Sequence, residues 1–74
     1  MNNTPRNSKQ GPISARYMGT EWAANPGESR REYMDNAAYY FGEDKEKYSD
    51  LSPEEKIACT REFNAGVVAE RALQ

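Results

Sequence analysis

The residues most capable of chemistry are the carboxylates between the two clearest helical segments. Asp44, Glu46, Asp50 and Glu55 match loop positions 1, 3, 7 and 12 of an EF-hand, with Leu51 at the apolar position 8. Oxygen donors at that spacing can wrap a calcium ion. Three departures weaken the match. Ser49 stands where the loop needs glycine, Tyr48 where it needs an oxygen donor, and Pro53 falls inside the loop. Lys45 and Lys47 also reduce the negative field. The pattern therefore reads as a charged, capped connector, and no metal or other cofactor is expected.

Catalytic groups are sparse. The chain has no histidine, the commonest general base. Its one cysteine, Cys59, falls mid-helix, away from any helix N-terminus that would favour a thiolate. It reads as a small buried apolar residue. The other carboxylates are spread along helix faces as a solvated surface. The expectation is a protein that binds rather than catalyses.

The tyrosines suggest what it binds. There are five. Tyr39 projects away from the apolar stripe of its helix, and Tyr40 lies at the stripe's edge. Exposed tyrosine beside acidic residues is a common interface composition, because the ring gives contact area at little entropic cost. The expected partner surface comprises Glu32, Asp35, Tyr39 and Tyr40, continued on the connector by Glu43, Asp44 and Tyr48. It suits a larger protein that the chain would inhibit or bridge. The alternative is a dimeric nucleic-acid-associated regulator, with Arg6, Lys9 and Arg16 as an arm and Arg30 and Arg31 beside it. Residues 1–16 carry +3, while the remainder sets seven Lys and Arg against twelve Asp and Glu, −5, for a net −2. An acidic body opposes phosphate contacts, so nucleic acid is the weaker reading.

These groups need elements to hold them. The chain has 74 residues, enough for one small domain. Only 36% are hydrophobic, against about 45–50% in ordinary domains. A single cysteine rules out an internal disulfide staple. Met1 to Pro12 is polar and reads as a disordered basic tail, with no secretory h-region. Residues 13–74 form the domain. Ile13, Tyr17 and Met18 allow a short helical turn, which Gly19 interrupts, and Trp22 would anchor it to the core.

Asn25-Pro26-Gly27-Glu28 has a capping residue, a proline and a glutamate suited to a helix start. It predicts a helix over 26–41. Ser52-Pro53-Glu54-Glu55 predicts a second over 53–72. The fold class is all-α, a small helical hairpin. The second helix is apolar on two sides, so one hairpin mate cannot cover it. Phe63, Gly66, Val67 and Leu73 mark the surplus face, which either the 13–22 segment or a second copy must cover. No apolar run approaches the roughly 20 residues of a membrane span, and a single unpaired thiol suits the cytoplasm.

Overall fold

The computed structural model describes residues 6–74. Among them there are three α-helices, one 3-10 turn and no strand. Helix α1 spans Gln10–Ala24, α2 Arg30–Tyr39 and α3 Pro53–Leu73, with the turn at Tyr48–Asp50. The all-helical class is as expected, but the arrangement is three helices rather than a hairpin. No described helix is long and apolar enough to cross a membrane.

Helix α1 is the main departure from the sequence reading. It is a full helix of 15 residues, and Gly19 lies inside it. Asn7 starts it, its side-chain oxygen accepting from the backbone N–H groups of Lys9 and Gln10 at 2.9 and 3.3 Å. Gln10 answers by accepting the Asn7 N–H. Pro12 sits in the first turn, where its missing N–H costs nothing. Residues 6–12 therefore depart from the disordered tail expected over Met1 to Pro12. Residues 6–12 are built into the fold, and residues 1–5 lie outside the described residues.

Gly11, Ala15 and Gly19 recur every fourth residue and are all buried. This flat stripe lets α1 lie directly on its neighbours. A methyl group on Gly19 would overlap the carbonyl oxygen of Phe63, and one on Gly66 would overlap the carbonyl oxygen of Arg16. The two glycines thus face each other's backbones where α1 crosses α3, the most extensive helix pairing in the molecule. Thr20 adds a hydroxyl bond to the Gly66 carbonyl at 3.4 Å.

That crossing supplies a second neighbour for α3: α1 lies on the face that carries Phe63, Gly66 and Val67. Phe63 is wholly buried, and Gly66 and Val67 are buried beside it. Leu73, the fourth residue of the expected surplus face, is exposed.

Helix α2 begins four residues later than its first capping signal suggests. Gly27 adopts a left-handed φ of 100°, which ends the first attempt at a helix. Asn25 to Glu28 closes a turn instead, with the Glu28 N–H bonded to the Asn25 carbonyl. Ser29 is the actual cap, accepting from the Glu32 N–H. The helix ends at Tyr39, and Phe41 is buried beyond it, its ring against Gly11.

Helix α3 starts as expected, with a capping box between Ser52 and Glu55. Its core side chains are Cys59, Phe63 and Val67, which meet Ala15, Met34, Ala37, Ala38, Phe41 and Leu51. Ile57 faces solvent instead of packing near Leu51. Trp22 anchors α1 as expected. Its ring lies 6.0 Å from that of Phe63, and its N–H donates to the Glu28 carbonyl at 2.8 Å.

Candidate functional site

The expected partner residues separate onto two flanks of α2. Asp35 and Tyr48 form one pair. The Asp35 carboxylate accepts the Tyr48 N–H at 2.9 Å, and the Tyr48 hydroxyl bonds the Thr60 hydroxyl at 2.9 Å and the Lys56 carbonyl at 3.3 Å. These two residues are a strut between connector, α2 and α3. Both side chains are half-buried.

On the other flank, Tyr39 and Tyr40 meet α1. Their rings pack edge to face with centroids 5.2 Å apart. Tyr40 shares shallow hollows with Ile13, Tyr17 and Met18 of α1, and with Asn36 and Tyr39 of α2. Ile13 and Tyr17 are four residues apart on the outer face of α1, so their side chains lie in line. They are 76% and 58% exposed, beside the exposed Tyr39 and Tyr40 of the next helix and its end. The spacing of Ile13, Tyr17 and Met18 allows a helical turn here but does not say which of them faces inward. The exposure of Ile13 and Tyr17 follows from the small-residue stripe, which takes the buried side of α1.

Arg6 fixes the edge of this surface. Its guanidinium lies 3.6 Å from the Tyr39 ring centroid and donates to the carbonyls of Tyr39, Glu43 and Lys45. Its backbone N–H donates to the Glu43 carboxylate at 3.0 Å. A residue expected in a free arm is thus a clamp over the end of α2. Glu32 and Glu43 remain exposed on the same outer side as Tyr39, and Asp44 is exposed near Lys45.

The calcium-like loop is folded around a lysine. The Lys45 ammonium sits 3.4 Å from Asp44, 3.3 Å from Glu55 and 3.4 Å from the Asp50 carbonyl. Bonding to Glu55 and Asp44 raises its pKa above the ordinary lysine value. The Asp50 carboxylate accepts the N–H groups of Glu46 and Lys47, and these bonds hold its pKa below the usual range. Glu55 is lowered chiefly by the Ser52 N–H. The donors that would ligate a cation are turned onto backbone amides and an ammonium. Among the described residues, no three His, Cys, Asp or Glu side chains group in a way that could hold a metal ion.

Cys59 is buried in the core, and loss of hydration pushes its thiol up to about 11. A group so far from ionising at neutral pH is a poor nucleophile. The basic residues of the arm are dispersed. Arg6 is a clamp, Arg16 is paired with Glu62 at 2.9 Å, and Lys9 is exposed at the start of α1. Arg30 donates to the Asn64 side chain at 2.6 Å and lies over the Trp22 and Phe63 rings, while Arg31 is exposed beside it.

Compared with known proteins, the sequence matches no family model, no curated protein and no solved structure.

Proposed function

We propose that the chain is a small non-catalytic protein-interaction module, an inhibitor or adaptor that binds a larger protein through the α1–α2 face. One observation carries the reading: Ile13, Tyr17, Tyr39 and Tyr40 are exposed side by side in a chain with few large apolar groups. A protein this short of core material gains nothing from leaving them in water.

The rings are also set before binding. Tyr39 is held between the Arg6 guanidinium and Tyr40, so little rotamer entropy remains to be lost on association. Glu32 and Glu43 on the outer edge favour a partner whose contact patch is apolar at the centre and basic at the rim. A cytoplasmic location accords with this reading, since the lone thiol is reduced and buried.

The test compares unmodified protein with Y17E/Y40E in affinity capture from the native host, followed by reconstitution of the candidate pair from purified components. Circular dichroism establishes that the variant keeps its helices. The expected result is one protein retained by the unmodified chain, with reconstituted affinity at least about a hundredfold weaker in the variant, as loss of two central aromatic anchors implies. Equal affinity for both forms would overturn the assignment to this face. Light scattering on the unmodified protein checks the competing occupant: a stable dimer that Y17E/Y40E dissociates would make the partner a second copy.

A further inference from the structure

Charge in this protein is sorted in space. Every ion pair among the described residues uses Arg6, Arg16 or Lys45. None of Arg30, Arg31, Lys47, Lys56 and Arg61 is within ion-pair distance of a carboxylate. Yet these five lie together. Arg30, Arg31 and Lys47 line a hollow of about 600 Å³ between α2, the 3-10 turn and α3. Lys56 and Arg61 line a second hollow that adjoins it through the shared walls Tyr48 and Thr60. The one acidic side chain lining either hollow is Asp35, and its carboxylate already accepts the Tyr48 N–H.

Half of the ten Lys and Arg residues of an acidic chain are thus gathered on one face without an ion pair among the described residues, Arg30 being bonded to Asn64 and Lys56 lying 5.9 Å over the Tyr48 ring. Like charges held together cost free energy unless a counter-charge arrives, and clustered unpaired cations in a concavity raise the local concentration of anions. The shape adds chemical detail. Met34 and Tyr48 give the first hollow an apolar wall, and Ser49 and Thr60 add hydroxyls. Arg30 is held in place by the Asn64 side chain and by the rings beneath it. Cations, hydroxyls and a flat apolar wall together suit a phosphate joined to a planar base.

We propose that this face binds single-stranded nucleic acid, one nucleotide seated in the first hollow and the next phosphate reaching the second. The phosphate of the seated nucleotide lies on Arg31 and Lys47, with Arg30 behind them. Its base lies against Met34 and Tyr48. The following phosphate meets Lys56 and Arg61. This surface is on the flank of α2 opposite the tyrosine face, so it is independent of the proposed protein contact.

Fluorescence anisotropy with a short labelled oligothymidylate or oligouridylate tests the proposal. With two phosphates neutralised, affinity falls about sevenfold between about 50 and 200 mM salt. R31E/K47E weakens binding at least about tenfold, while K9E, outside the hollow, leaves it nearly unchanged. Amide shifts on titrating the unmodified protein fall on Arg31, Lys47, Ser49 and Thr60, a readout that needs no variant to fold. Titration with adenosine monophosphate separates a free nucleotide from a strand: tighter binding of the strand supports the second hollow's part in the site. Three results would overturn the proposal. They are no anisotropy change at low salt, equal loss in K9E, and equal affinity for polyglutamate, which would assign the face to an acidic protein instead.

Discussion

Gly66→Ala separates two physical accounts of α3 by the sign of its effect. An alanine in mid-helix is favoured over glycine by about 1 kcal/mol in propensity alone. If α3 were an ordinary exposed helix, G66A would stabilise the protein by that amount. In this fold the added methyl overlaps the Arg16 carbonyl oxygen, which is backbone and cannot swing aside. The helices must part by about 1 Å, and a gap of that size forfeits a quarter to a half of each dispersion contact across it. The contacts at risk are those of Ala15, Cys59, Phe63 and Val67. Overpacking of this kind costs about 3 kcal/mol, leaving a net loss of about 2 kcal/mol after the propensity gain. For a domain of this length that lowers the melting temperature by about 10 °C. Thermal unfolding by circular dichroism measures it, with Ala69→Gly on the exposed side of α3 as the propensity control. A rise in melting temperature for G66A would show that the two backbones do not meet there.

Other outcomes follow from the same contacts. Tyr48→Phe removes a hydroxyl bonded to both Thr60 and Lys56 and lowers stability by about 1 kcal/mol in urea unfolding, with little change in m-value. Arg6→Ala frees the carbonyls of Tyr39, Glu43 and Lys45, and hydrogen exchange there speeds up before it does in α3. Asp50 and Glu55 have folded pKa values below their unfolded ones, so the unfolded state binds more protons as acid is added. Their contribution is present above about pH 5 and is lost as pH falls through the carboxylate range. Lys45 is raised, so its contribution is complete below the unfolded lysine value and is lost as pH rises through the folded one. Denaturation midpoints across pH therefore show a neutral plateau falling at both ends; Cys59 and Tyr33 are also raised in the folded protein and share the alkaline fall, so Lys45→Met reduces it without removing it. Cys59 in the folded protein reacts with a thiol reagent at neutral pH far more slowly than in denaturant.

What could be read from the sequence follows the strength of local signals. The Ser52–Glu55 box and the long apolar pattern behind it marked α3 to within a residue. Two-sided greasiness in that helix also implied a second neighbour, with the Ile13–Trp22 segment as one candidate. The sequence reading underestimated α1 because Gly11, Pro12 and Gly19 look like breakers when considered one at a time. Their positions make them useful. The proline falls in the first turn, and the two glycines fall eight residues apart on one side with Ala15 midway between them. That spacing of small residues was the available signal. The start of α2 misled for the opposite reason: Asn25-Pro26 has good capping chemistry, but Gly27 then takes a conformation no helix continues. The partition of the partner residues was not accessible, since which flank of α2 each faces depends on where the connector returns.

The same geometry shows how little net charge says about either face. An average of −2 over the chain describes neither face. Glu28, Glu43, Glu55 and Glu62 are engaged with Tyr33, Arg6, Lys45 and Arg16 on the sides where those groups meet. What is left unpaired is then decided by topology. Helix α2 crosses between α1 and the connector with Asn36, Tyr39 and Tyr40 on one flank and Arg31 and Asp35 on the other. The first flank inherits exposed rings from α1, and the second inherits unpaired cations from α3 and the 3-10 turn. Ten residues of helix therefore separate an aromatic surface from a basic one, and the ties that orient them are distinct: Arg6 for the first, the Asp35–Tyr48 bond for the second. A substitution at Arg6 should loosen the tyrosine face and leave oligonucleotide binding intact, and Lys47→Glu should do the reverse. If both substitutions weakened both activities equally, α2 would be acting as one unit, and the division into two faces would fail.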